Sequence, residues 1–394
     1  MSALHTFEDT RPPAGGKFVL WALGFRPFYL GASVFAAASI CAWVAQFLGW
    51  HAGWQTDPLW HAHEMIFGFA FAVIVGFLFT AVRNWTGHPT PEGALLAVIV
   101  ALWLAARVLL AFGMPLASAA SDAAFTVAAA WGIGRPLLQA RNSRNAFFVA
   151  LLLAFGAANV AFHLAMSGEL GLSPRRLVQL GLDLVLIVMV VMGGRVIPMF
   201  TANARQVRVR RLPWIEAAAL GSVAVLLAGS LAGTPELALA ACAAFAACAH
   251  GARIALWRPW ATLGHPILWI LHASYAWIVV HLALRALALA GLLPPNAATH
   301  ALTVGAIGGL IVGMMTRTAR GHTGRPLVPS GTEVAAYVLI QLAALVRVFA
   351  PIAVPSLTAA SIAASGLLWS SAFGLFVVKF WPVLTRTRLD GRPG

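Results

Sequence analysis

Two histidines and a glutamate begin an otherwise apolar run, DPLWHAHEMIFGFAFAVIVGFLFTAVRNWTGHP, at residues 57–89. Neutral imidazole is the usual protein ligand of haem iron, copper and zinc, and a carboxylate can orient such a ligand. On an ideal helix His61 and His63 point about 200° apart, whereas His61 and Glu64 share a face. Unless the helix begins after His61, the spacing favours one metal ligand and one supporting partner.

The amino-acid composition indicates the environment in which His61, His63 and Glu64 lie. The chain has 394 residues, of which 60% are apolar and 10% charged, and its mean hydropathy is +0.84. A soluble domain has about 45–50% apolar and about 25% charged residues. The sequence therefore predicts an all-α, polytopic membrane protein, with residues 1–394 forming a single integral membrane domain.

Apolar windows of about 20 residues predict twelve transmembrane helices. The polar segment before the first of them shows no separate cleavable signal, because the first apolar run already has the length of a span. The predicted spans are 28–49, 60–82, 93–112, 117–138, 145–166, 176–199, 213–231, 235–256, 265–288, 297–317, 331–350 and 357–381.

The basic residues predict the orientation in the membrane. If the N-terminus is cytoplasmic, 21 of the 26 Lys and Arg residues fall on the inner side. The other five are Arg107, Arg175, Arg176, Arg285 and Arg347. The positive-inside rule therefore predicts that both termini are cytoplasmic, and this distribution explains the net charge of +14 without nucleic-acid binding.

Polar residues gather in the outer half of the predicted bundle. Ionisable groups in a bilayer cost at least about 2.5 kcal/mol, so they normally face the protein interior and serve a function. Histidines outnumber carboxylates here, which argues against a cation or proton pathway. A wet belt of interfacial His and Trp (Trp50, Trp54, Trp60) is the alternative for any single histidine. The outer groups are His51, His61, His63, Glu64, Arg107, Asp122, His163, Asp183, Arg285 and His300, with His281 and Arg347 nearby.

An internal repeat links two of the histidines. Residues 63–89 align without gaps on 300–326 with nine identities in 27 positions, and His63 matches His300. At the other end of the run, Arg83 matches Arg320, and the Thr-Gly-x-Pro turn at 86–89 matches the turn at 323–326. Spans 1–4 are therefore predicted to be a parallel repeat of spans 9–12 around a middle four-helix unit, with units at 18–142, 143–258 and 259–388 and with His63 and His300 on facing helices.

Four motifs resemble the NnrS family of bacterial inner-membrane proteins. They are WHAHEM at 60–65, AVRNWTGHP at 81–89, GGRVIPMFTAN at 193–203 and HALTVGAIGGLIVGMMTRTARGHTGRPL at 300–327. The resemblance extends over nearly the whole chain. It implies a twelve-span protein that contains haem and copper and helps denitrifying and related bacteria to tolerate nitric oxide. His88 departs from the family pattern, in which an arginine is expected.

With those cofactors as the expectation, the histidines divide into two groups. His63 and His300 are the predicted axial ligands of haem. Arg285, Arg107 and Arg347 are predicted partners of the haem propionates, with contacts to lipid headgroups as the alternative. The copper candidates are His61, His281 and His163, with Glu64 as the orienting partner.

Two further residues have open assignments. His272 lies about 180° from His281 on its helix, so it is either a metal ligand or a hydrogen-bonding group between helices. Arg195, beside two glycines, could bind an anion or headgroup, or serve only as a topological anchor at a kinked helix end.

Two functions remain open from the sequence. The first is a haem and copper protein that binds or converts nitric oxide or its metal adducts and protects against nitrosative stress. The second is a transporter of a metal or metal-nitrosyl complex, because parallel repeats and glycine-rich helices also occur in transporters.

Overall fold

A computed structural model describes residues 18–50 and 57–391. Within these residues twelve helices are long and apolar enough to cross a membrane, and there is no strand. Spans 1–12 are Phe25–Phe47, Pro58–Thr86, Gly93–Ala111, Pro115–Gln139, Ser143–Met166, Pro174–Arg205, Pro213–Ala232, Glu236–Leu256, Pro266–Leu289, Pro295–His322, Gly331–Ala353 and Pro355–Leu384.

The predicted fold class, an all-α protein with twelve membrane spans, is confirmed. Each predicted span overlaps one of the helices, and the largest difference in a boundary is at the end of span 6, which was predicted at 199 and lies at Arg205. This helix continues past the apolar window because polar residues there can still form helical hydrogen bonds outside the hydrocarbon region. His51, Trp54 and the polar N-terminal segment lie outside the described residues.

Proline and side-chain caps mark where the spans begin. Spans 2, 4, 6, 7, 9 and 10 each have proline in the first helical turn, where its missing N–H leaves no hydrogen bond unmade. Asp57 also caps span 2, with its carboxylate 2.6 Å from the Trp60 backbone N–H. This cap begins the helix before His61, so His61 and His63 both lie within it.

Spans 2, 6 and 10 form the centre of the bundle. Together with Tyr29 of span 1 they line a central cavity of about 100 Å³ whose walls are apolar, including Met189 and Met314. Around this centre, span 1 packs along span 12, span 4 along span 5, and span 8 along span 9. The neighbouring helices therefore separate spans 2, 6 and 10 from lipid.

Spans 2 and 10 share an irregularity at the same place. A π-helical segment, Glu64–Ala70, follows His63, and another, Ala301–Gly308, follows His300. Such segments are rare and often occur at functional sites. Gly76 of span 2 packs on span 1 at Phe28, as Gly313 of span 10 packs on span 9 at Ile270.

These features favour the repeat, which remains a prediction. We expect spans 1–4 to superpose on spans 9–12 by rotation about the membrane normal, with the two π-helical segments coinciding. The measurement is the rotation axis of the best superposition. An axis in the membrane plane, or π segments out of register, would contradict a parallel repeat.

The beginning of span 1 and the end of span 12 meet at one end of the bundle. Arg26 donates hydrogen bonds to the backbone carbonyls of Leu384 and Arg386, at 2.8 and 3.0 Å. The Val19 N–H donates to the Thr385 carbonyl at 3.0 Å. The histidine-bearing beginnings of spans 2 and 10 therefore lie at the opposite end, because both helices are antiparallel to span 1.

Candidate functional site

A cavity opens between the ends of spans 1 and 11 and the beginnings of spans 2, 6, 10 and 12. We call it the outer cavity, and its volume is about 310 Å³. His61, His300 and Arg347 bring polar groups to its wall. The remaining wall is mostly apolar and aromatic, with Trp43 and Trp369 at its sides. Concave, largely apolar spaces with a few polar groups are typical binding sites.

Both cavity histidines have a ring nitrogen available for a ligand. The Nδ1–H of His300 donates to the Asn296 carbonyl at 2.7 Å, which leaves Nε2 as the nitrogen with a free lone pair. The ring of His61 stacks on Trp43 with 5.0 Å between centroids and 4° between planes. His61 Nδ1 is buried and has no hydrogen-bond partner among the described residues.

Arg347 is the cation of this cavity. Within residues 18–50 and 57–391 no carboxylate forms an ion pair with it. A guanidinium in an apolar wall normally requires an anionic partner, because its desolvation is otherwise uncompensated. The outer cavity is therefore suited to a ligand that carries a negative group.

A second polar group lies between spans 2, 3, 4 and 5, and we call it the buried cluster. It consists of His63, Glu64, Arg107, Asp122, Asn159 and His163, each at most 6% exposed. Arg107 forms ion pairs with Asp122 and with Glu64, the latter at 3.0 Å. The Asn159 amide N–H donates to Asp122 at 2.8 Å. Charged and polar contacts therefore join the four spans in addition to apolar packing.

His63 is held at both ring nitrogens in this cluster. Its Nδ1 lies 2.8 Å from Glu64 Oε1, and its Nε2 lies 2.6 Å from Asn159 Oδ1. His163 stands edge-on to it, with 4.8 Å between ring centroids. Among the described residues, His63, Asp122 and His163 are the one group of three potential metal ligands, with ligand atoms within 4.8 Å of one another.

The local helix geometry separates the two histidines of the HAHEM motif. His61 faces the outer cavity and His63 the buried cluster, as expected for side chains about 200° apart. Glu64, expected on the face of His61, instead contacts His63 and Arg107. The π-helical segment of span 2 begins at Glu64. Gly68 within this segment has no side chain and leaves room for the Arg107 guanidinium.

The structure therefore changes the predicted partner of His300. His63 was predicted to face His300, but the residue that lines the outer cavity with His300 is His61. The reason is the direction of each side chain on span 2, which the matching sequence positions of His63 and His300 do not reveal. His163 and Glu64, two of the predicted metal residues, do lie beside His63.

The three predicted arginines have different partners. Arg107 belongs to the buried cluster, and only Arg347 lines the outer cavity. Arg285 of span 9 pairs with Asp183 of span 6 at 2.6 Å and with Ser230 of span 7 at 3.2 Å. Arg285 therefore joins spans within the bundle, and its charge is already balanced by a buried carboxylate.

The other predicted residues lie apart from both groups. His281 donates from Nδ1 to the Ala298 carbonyl at 2.8 Å, and its buried Nε2 has no partner among the described residues. His272 contacts the Thr201 hydroxyl at 2.8 Å and thus joins spans 9 and 6. Arg195 donates to Asn145 Oδ1 at 2.7 Å, so this arginine joins spans 6 and 5.

Sequence reasoning missed two residues that complete these groups. Asn159 bridges His63 and Asp122, and it lies one helical turn before His163 on span 5, a spacing that could have indicated it. Trp43 stacks on His61 from span 1. No sequence signal distinguishes Trp43 from the other interfacial tryptophans.

Comparison with known proteins agrees with the resemblance seen in the motifs. No curated protein matches the chain. The model of one family, the NnrS protein, matches residues 19–388, which is nearly the whole chain and includes all twelve spans. The match covers the outer cavity and the buried cluster together. This multi-pass membrane protein therefore belongs to the NnrS family, and at the family level it is a membrane protein related to nitric oxide.

Proposed function

We propose that the protein holds a haem in the outer cavity and uses it to bind nitric oxide or its metal adducts, thereby limiting nitrosative stress. The observation that carries the proposal is the pair His61 and His300 on the wall of one largely apolar cavity with Arg347. The resemblance to the family implies haem and copper, and the cavity offers the groups that a haem requires.

The residues of the outer cavity fit such a group in three respects. Two histidines on different spans present ring nitrogens that are not used by the protein. Arg347 is a cation without a carboxylate partner among the described residues, which suits a propionate. The apolar wall, including Trp369 and Phe69, excludes water from a porphyrin face. Bound haem iron would supply the binding of nitric oxide.

Hydrogen bonding fixes the direction of one predicted ligand. The Asn296 carbonyl holds His300 Nδ1–H, so the tautomer with Nε2 free is favoured. Trp43 limits rotation of the His61 ring by stacking on it. Both imidazoles are therefore held in place before a ligand enters, which lowers the entropy lost on binding.

The structure offers less support for transport of a charged metal complex. The central cavity between spans 2, 6 and 10 is lined by apolar side chains and Tyr29. An ion that crosses this cavity would lose its hydration without gaining protein ligands. Burying a charge in this way costs on the order of several kcal/mol. We therefore prefer a bound cofactor to a permeation pathway.

The optical spectrum of the purified protein tests the proposed function. We expect a Soret band that persists through gel filtration and shifts when nitric oxide is added to the reduced protein. The stoichiometry should be one haem per chain, because one cavity contains the histidine pair. Protein that is folded in detergent but has no Soret band after growth with sufficient iron would contradict the proposal.

The proposed location is the bacterial inner membrane with both termini in the cytoplasm. In a variant without the three native cysteines, we expect an impermeant thiol reagent to label a cysteine at Ser167 from the outside and to miss one at Ser143. Both positions flank span 5, so the pair measures the orientation of a single helix. The opposite labelling pattern would invert the bundle and place the histidines at the cytoplasmic side.

A further inference from the structure

We propose that the buried cluster is a metal site, separate from the outer cavity, in which His63, His163 and Asp122 bind a copper ion. The three side chains come from spans 2, 5 and 4, and their ligand atoms lie within 4.8 Å of one another. This proposal adds a site to the proposed function and rests on the haem and copper content implied for the protein. It does not depend on the outer cavity or on binding of nitric oxide.

The first argument is the orientation of His63. Glu64 Oε1 accepts a hydrogen bond from His63 Nδ1–H at 2.8 Å, and a ring nitrogen of His63 lies within 4.8 Å of ligand atoms of Asp122 and His163. A metal-binding imidazole usually donates its other ring N–H to a carboxylate or carbonyl group. This hydrogen bond fixes the tautomer and raises the basicity of the ligand nitrogen. His63 Nε2–H donates to Asn159 Oδ1 at 2.6 Å, because the Asn159 amide N–H is used by Asp122, and a bound ion would take the place of this proton.

The second argument is a histidine nitrogen that the protein leaves unused. His163 Nε2 is buried without a hydrogen-bond partner among the described residues, although His163 is only 1% exposed. An imidazole in a dry interior normally has its polar atoms paired, since an unmet hydrogen bond costs about 1–3 kcal/mol. A metal ion at this nitrogen would remove that cost.

The third argument is the charge of the cluster. Two carboxylates, Glu64 and Asp122, share the guanidinium of Arg107, and both ring nitrogens of His63 face oxygen acceptors. A bound cation would take the place of the proton between His63 Nε2 and Asn159 Oδ1 and would keep a positive charge beside the two carboxylates. Arg107 and Asn159 also hold Asp122 in place, as expected of groups behind a metal-binding carboxylate.

The donor set agrees with copper. Two imidazoles and one carboxylate suit first-row transition metals, and copper(II) binds such sites more tightly than zinc in the Irving–Williams order. The three cysteines stand elsewhere and unpaired, two of them exposed, so no thiolate competes for the ion among the described residues. His281, which also has a buried ring nitrogen without a partner among the described residues, lies on span 9 one helical turn before Arg285 and does not belong to this donor set.

The experiment compares matched histidine variants of the full-length protein. His163→Phe keeps the size of the ring and removes the ligand nitrogen without stranding a hydrogen-bond partner. His281→Phe is the control, because its Nε2 is also buried without a partner among the described residues, and this change additionally removes the Nδ1 hydrogen bond to the Ala298 carbonyl. After loading with copper(II) and gel filtration, metal analysis should give one copper per chain for the wild type and the control. We expect copper affinity at least about tenfold lower in His163→Phe.

Spectroscopy supplies a readout that a purely structural role would not change. The electron paramagnetic resonance spectrum of the copper(II) protein should show nitrogen splitting from two imidazoles, and copper that remains bound to His163→Phe should show splitting from one. The Soret band of the same samples should stay unchanged in both variants. Wild-type protein with haem but without copper, or equal copper in His163→Phe and wild type, would overturn the metal site and leave the haem proposal intact. Absence of haem with copper retained would contradict only the haem proposal.

Discussion

Replacing both His61 and His300 by alanine is expected to strip haem from the purified protein, because the two imidazoles are the iron ligands that the outer cavity offers. Each single variant should convert a six-coordinate spectrum into a five-coordinate one, since one iron–imidazole bond remains. The measurement is the optical spectrum of reduced and oxidised protein, with haem content determined by extraction. The rest of the cavity wall is unchanged in these variants, so the loss reports on the ligands.

Two other histidines are matched controls for this experiment. His88→Ala, in the loop after span 2, should leave the spectrum unchanged because this residue lies at the opposite end of the helix from His61. His63→Ala should also keep haem, since His63 faces the buried cluster. A five-coordinate spectrum in His63→Ala together with a wild-type spectrum in His61→Ala would reverse the assignment and restore His63 as the partner of His300.

The fold could be predicted from sequence because a membrane restricts the choices. A hydrocarbon interior requires each spanning segment to satisfy its own backbone hydrogen bonds, so apolar runs of about 20 residues specify helices with little ambiguity. All twelve helices were found in this way. Glycine and proline indicated the positions of the loops. Gly87, for example, ends span 2 in a left-handed backbone conformation.

The candidate site could be predicted only in part, since side-chain direction depends on which helices are neighbours. The sequence singled out His61, His63 and His300, and the predicted repeat suggested His63 and His300 as a pair. His63 contacts Asn159 of span 5, whereas His300 lines the outer cavity with His61 and residues of span 12. Knowledge of the order of helices around spans 2, 6 and 10 was required to see this.

The π-helical segments were also beyond the reach of sequence periodicity. Each adds one residue to a helical turn, which changes the direction of the side chains that follow, and the surrounding apolar residues give no periodic signal for it. Glu64 begins one of these segments, and although it was expected on the face of His61, its carboxylate contacts His63 and Arg107.

The largest effect on stability is expected from Arg107→Met. This change leaves the carboxylates of Glu64 and Asp122, which are 1% and 2% exposed, without their common cation. Breaking a buried ion pair by removing one partner costs about 3–5 kcal/mol. We expect a clear fall in the melting temperature of the protein in detergent, measured by loss of monodisperse protein after heating.

Arg347→Met is the matched control, because Arg347 has no carboxylate partner among the described residues. Replacing this partly buried arginine by an apolar side chain strands no carboxylate. At equal haem occupancy this variant should therefore melt close to the wild type, although its haem should dissociate faster if the guanidinium holds a propionate. The double variant Arg107→Met/Asp122→Asn should recover part of the stability lost in Arg107→Met, because one stranded charge is removed. Equal melting temperatures for Arg107→Met and Arg347→Met would mean that the charges of the buried cluster do not hold spans 2, 3 and 4 together.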